Sequence, residues 1–213
     1  MHILLSDPGS TLPDVVHVVR DCRGDVLGEL DSPSAPAGLY PDFILHMAAR
    51  LNDETTSSAD QFYNLWELIL MHWFPQSEGY TIHPRWPIPH SDDLDRVTFA
   101  VLLGSVPIAL LDVKPPRGFD NAHSRAFAEE FSTEHFEQIA PYFDYPLCAI
   151  AAMGKKWTAF QAFSTLTPRE ARALGDSERI EWMDDIVSEP SYEMLDRFVA
   201  LLKERIRISS TTY

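Results

Sequence analysis

Hydrophobic residues crowd two adjacent runs, VTFAVLL and VPIALLDVK, that span residues 97 to 114 around a Gly104-Ser105-Val106-Pro107 turn. Two such runs around a turn predict a β-hairpin. On the second strand, alternation puts Ile108, Leu110, Asp112 and Lys114 on one face. Ala109, Leu111 and Val113 take the other. Both faces are apolar up to Asp112, which predicts a strand covered on both sides. Charge enters only where the strand ends, and Pro115-Pro116 stops it.

The other elements follow from period and punctuation. Helical spacing of Phe62, Leu65, Trp66, Ile69, Leu70 and Trp73 predicts a helix over Ser58–Trp73. A shorter helix, Asp42–Leu51, is expected behind Pro41. Tyr80–Trp86 reads as a strand, and Pro84 assigns it to an edge. Ser124–Ala140 reads as a helix ended by Pro141, with Phe127, Phe131 and Gln138 along one side. Tyr145–Met153 is a buried strand by its continuous apolar run, Gly154-Lys155-Lys156 turns the chain, and Trp157–Ser164 returns as a strand. Pro168–Leu174 is a short helix capped by Thr167. Tyr192–Arg207 is a final amphipathic helix with Leu195, Phe198, Val199, Leu202 and Ile206 as its stripe. Before residue 41 the chain is rich in Pro, Gly, Ser and Asp, with short strands at Val15–Val19 and Asp25–Leu30 and a loop at Ser32–Gly38. The expected organisation is an N-terminal arm or small lobe, residues 1–40, and an α/β (α+β) domain, residues 41–213, in which a central mixed sheet is flanked by helices.

Composition narrows the function. A chain of 213 residues with 45% hydrophobic and 11% aromatic residues buries a core without staples. Its two cysteines, Cys22 and Cys148, lack metal-type spacing, which favours a reduced, intracellular setting, cytoplasmic or nuclear. No run is long enough for a membrane span. The net charge of −15 weakens any reading as a tight, non-specific nucleic-acid binder, because phosphate contacts need Lys and Arg. Basic residues are sparse: Lys114, Arg117, Arg125, Lys155, Lys156 and the tail from Lys203 to Arg207.

The candidate chemistry sits at the hairpin. An acidic cluster, His90-Ser91-Asp92-Asp93-Leu94-Asp95, enters its first strand, and Asp112-Val113-Lys114 ends the second. Two carboxylates suit Mg²⁺ or Mn²⁺, which prefer hard oxygen ligands. A same-face Lys can orient water or stabilise developing charge. Asp95 abuts the strand and is the first choice for the entry acid, with Asp92 and Asp93 as alternatives. Glu67 lies at the edge of its helix's apolar face, beside Tyr63, Leu70, Met71 and Phe74. It either reaches solvent past Tyr63 or faces the metal and the Lys. His72, His83, His90, His123 and His135 show no zinc spacing, and each reads as a surface or core residue. Cys148 reads as a small core residue.

Leu94-Asp95, the apolar strand after it, and Pro107-Ile-Ala-Leu-Leu-Asp112-Val-Lys114-Pro-Pro resemble the core of the PD-(D/E)xK nuclease superfamily, more closely its uncharacterised fungal proteins. The resemblance runs from about Tyr80 to Phe160, through Arg125-Ala-Phe-Ala-Glu129 and the strands around Cys148–Met153 and Trp157–Phe160. It implies a restriction-endonuclease-like, four-stranded mixed sheet flanked by helices. It further implies Mg²⁺-dependent phosphodiester cleavage, with Asp95 and Asp112 on the metal and Lys114 beside the attacking water. The helix departs from the pattern: Phe131 stands where a Gln is expected, and Ser132-Thr133 follow it instead of Met-Arg. Gln138 is a candidate replacement, and Glu129, Glu130, Glu134 and Glu137 make this helix acidic. Two functions follow: a nuclease-like phosphodiesterase, or a nuclease-fold module that no longer cleaves and binds a protein partner or another ligand.

Overall fold

A computed structural model describes residues 40–53, 57–88, 96–143, 145–162 and 177–210. The expected arm, apart from Tyr40, lies outside the described residues, as does the expected helix Pro168–Leu174. The described elements are α1 (Asp42–Arg50), α2 (Asp60–Trp73), β1 (Tyr80–Pro87), β2 (Arg96–Leu103), β3 (Val106–Lys114), α3 (Ala122–Ile139), β4 (Leu147–Met153), β5 (Lys156–Ala162), β6 (Ser177–Met183) and α4 (Glu189–Ser210).

The strands form one six-stranded mixed sheet in sequential order, β1 to β6. Every neighbouring pair is antiparallel except β3 and β4, which are parallel. Parallel neighbours cannot be joined by a tight turn; they need a crossover, and α3 is that crossover. The two flanking hairpins close through two-residue turns with glycine first, Gly104 (φ 62°) between paired Leu103 and Val106, and Gly154 (φ 67°) between paired Met153 and Lys156. Glycine is the residue that enters positive φ without a Cβ clash. The expected four-residue turn is thus shorter, since Val106 and Pro107 already belong to β3.

Helices cover both faces. On one face the odd-numbered residues Ala109, Leu111 and Val113 of β3, with Cys148, Ile150 and Ala152 of β4, pack under α1, α2 and α4. On the other, Leu110 and Ala149 pack under Phe136 and Ile139 of α3. Ile108 departs from the expected alternation. Val101 pairs with Ala109 but Leu102 pairs with Pro107, so Ile108 is an extra residue in the strand. This bulge turns it into the cluster of Ala109 and away from the Asp112 face.

β1 is an edge strand, as Pro84 predicts. The other edge, β6, was not expected. Its sequence, SERIEWM, carries charge at Glu178, Arg179 and Glu181, and Ile180 is its buried core residue, so the apolar signal is weak. α3 starts two residues earlier than expected because Asn121 caps it, its side chain accepting from the His123 N–H at 2.9 Å. α4 likewise begins before Tyr192, at Glu189. No helix among the described residues is long and apolar enough to cross a membrane.

Candidate functional site

The site is built by β3 and α3. A crossover helix between parallel strands runs back against them, so residues ascending β3 meet residues descending α3. Two strand residues advance about 6.8 Å, and four helix residues advance about 6 Å. The steps match. Asp112 therefore meets His135, and Lys114 meets Phe131 one helical turn earlier.

The contacts are close. Nδ1 of His135 lies 2.9 Å from Oδ2 of Asp112, and the two side chains are 4% and 3% exposed. A carboxylate can only accept, so Nδ1 carries the hydrogen and donates it. The Phe131 ring stands edge-on to the imidazole with centroids 4.2 Å apart. Nζ of Lys114 sits 3.2 Å above the centre of that same ring, a cation–π contact. Burial lowers the Lys114 pKa from its ordinary value, and the negative charge of Asp112 works against that shift. The Val113 N–H is satisfied by Oγ1 of Thr98 at 3.1 Å, which ties the start of β2 to the end of β3.

Of the expected site residues, the structure brings Asp112 and Lys114 to one face at the end of the central strand. Asp95, with its alternatives Asp92 and Asp93, lies outside the described residues. Glu67 is half-buried on α2, and α2 packs over the opposite face of the sheet. Among the described residues no three His, Cys, Asp or Glu side chains converge. Asp112 offers one carboxylate to a hard cation, and Mg²⁺ needs only one or two because it retains several waters. The donor set fits to that extent.

His135 is the residue the sequence reading passed over as a surface or core histidine. Its signal was the i, i+4 spacing from Phe131, which places both rings on one face of α3. Gln138 is exposed, whereas Ser132 and Thr133 are buried. Glu129 is not a loose surface charge. Its carboxylate accepts from Arg179 and from the Trp182 indole, each at 2.6 Å, and so ties α3 to β6.

Beyond Lys114 the chain reaches a cavity of about 950 Å³ lined by Arg117, Lys155 and Lys156. The fold gathers here three of the basic residues that the sequence scatters. Phe119 marks the spot, with Lys156 Nζ 4.5 Å and the Arg125 guanidinium 5.2 Å from its ring. Carboxylates offset the charge: Lys155 pairs with Asp185 at 3.3 Å and Lys156 lies 3.9 Å from Asp184. Asp53 accepts from the Lys155 N–H at 3.4 Å, and burial raises its pKa. The corner is charge-balanced rather than basic. No protein-family model, curated protein or solved structure matches this chain.

Proposed function

We propose that the chain is a divalent-cation-dependent phosphodiesterase of nuclease type, with a restriction-endonuclease-like sheet and its centre at Asp112 and Lys114. The observation that supports it most is the pairing of a buried carboxylate and an ammonium on one face where the central strand ends. The chain also enters β2 beside that end, which favours Asp95 as the second carboxylate. Asp112 and Asp95 would hold the Mg²⁺ or Mn²⁺. The bound ion supplies charge neutralisation at a phosphoryl oxygen and a more acidic water. Lys114, partly desolvated, holds a positive charge toward the same space and offers N–H donors to developing negative charge.

A second reading, a non-cleaving binding or interaction module, is favoured by one contact. The Phe131 ring lies on the Lys114 ammonium, at the helix position where the resemblance has Gln. The test is incubation of the purified chain with single- and double-stranded DNA and RNA in Mg²⁺, Mn²⁺ or a chelator. Cleavage that disappears with the chelator and in Lys114→Ala is expected. Folded wild-type protein that cleaves nothing sinks the hydrolase. If it still binds Mn²⁺, and Asp112→Asn does not, the second reading stands.

A further inference from the structure

We infer that His135 is a positioning residue for the Asp112 carboxylate, and through it for a divalent cation at the strand end. This rests on the metal-binding reading above. The strand places Asp112 on the right face but does not fix its carboxylate, which can rotate about two side-chain bonds. The Nδ1–H of His135 removes that freedom by holding Oδ2. Because the imidazole takes Oδ2, Oδ1 is the oxygen this arrangement leaves to meet a cation. The imidazole is itself fixed. Phe131 packs against it one turn earlier, and its neighbour Phe136 is anchored on Phe160 of β5 at 5.7 Å. The Lys114 ammonium lies over the same Phe131 ring. A carboxylate held by one oxygen in a dry setting is preorganised as a single-oxygen ligand. Partners that orient a ligand in this way are typically worth about 10–100-fold in metal affinity.

The test is calorimetric titration of the full chain with Mn²⁺ alone, comparing wild type, His135→Ala, His135→Asn and His135→Gln. Asn puts an amide N–H close to where Nδ1 stands, and its affinity should stay within about threefold of wild type. Ala removes the donor and should weaken binding by about 10–100-fold. If Ala does not fold, by circular dichroism and melting, the Asn and Gln variants decide. Gln is one methylene longer, misplaces the donor, and should bind about tenfold more weakly than Asn, at the lower end of what such orienting partners are worth. A folded His135→Ala, or failing that a His135→Gln, with wild-type affinity overturns the inference and leaves the metal reading intact. Wild-type protein that binds no Mn²⁺ removes the metal reading and this inference with it.

Discussion

Replacing Gly154 by alanine combines a backbone penalty with a steric one, and Gly104 supplies the control. Both residues open two-residue hairpin turns, with φ of 67° and 62°. Positive φ costs an alanine about 1–2 kcal/mol at either site. Only the surroundings differ. A Cβ at Gly104 meets nothing within 4 Å, whereas one at Gly154 would lie 2.6 Å from Oδ1 of Asp53 and 2.7 Å from Cβ of Pro116. The Asp53 carboxylate can swing aside only by giving up the Lys155 N–H. Pro116 belongs to the rigid Pro-Pro step after β3. The turn is pinned on two further sides, by Gly154 N–H to Lys114 O and by the Trp66 indole to Gly154 O at 2.8 Å. Overpacking where nothing can yield adds about 1–3 kcal/mol. Gly154→Ala should therefore lower stability by about 2–5 kcal/mol, and Gly104→Ala by about 1–2. Urea unfolding with parallel calorimetry reads the difference. For a domain of this size the larger loss corresponds to roughly 4–20 °C in Tm. Equal losses at the two sites would refute the claim that the space around Gly154 is full.

Three further outcomes follow from buried polar groups. His135→Leu leaves the Asp112 charge buried without its donor and should cost about 3–5 kcal/mol, while the double variant Asp112→Leu/His135→Leu should recover most of it; chemical denaturation of both variants decides. Tyr40→Phe removes the acceptor of the buried Trp73 indole N–H, a 3.0 Å bond, and should cost about 1–3 kcal/mol; an unchanged melting temperature would contradict it. His72 packs among Tyr40, Trp73 and Tyr192, and burial lowers its pKa below the ordinary 6.5. The unfolded chain then takes up the proton first, so stability is full above pH 6.5 and falls as pH drops below it. The urea midpoint of wild type should fall more between pH 7 and pH 5 than that of His72→Gln.

Much of the fold was legible because burial leaves a period in the sequence. The stripe Phe62 to Trp73 specified α2, and unbroken apolar runs specified β3 and β4 as interior strands. Pro84 marked an edge, and Gly104 and Gly154 marked the turns. β6 was not legible: an edge strand with one solvated face and charged neighbours has little apolar periodicity to show. Ile108 was misplaced because a bulge is set by pairing with a partner strand, which alternation along one strand does not contain.

At the candidate site the division is sharper. The period of a β-strand alone put Asp112 and Lys114 on one face, since residues two apart on a strand point the same way. Nothing local said what would meet them. His135 looked like any helical histidine, and Phe131 looked like a missing glutamine. They become partners of Asp112 and Lys114 only because the crossover helix must run antiparallel to β3, where four helical residues span nearly the distance of two extended ones. Glu67 illustrates the complementary point. Its chemistry suited the site, but which face of the sheet a helix covers is decided by how the whole chain is packed, and α2 covers the other one.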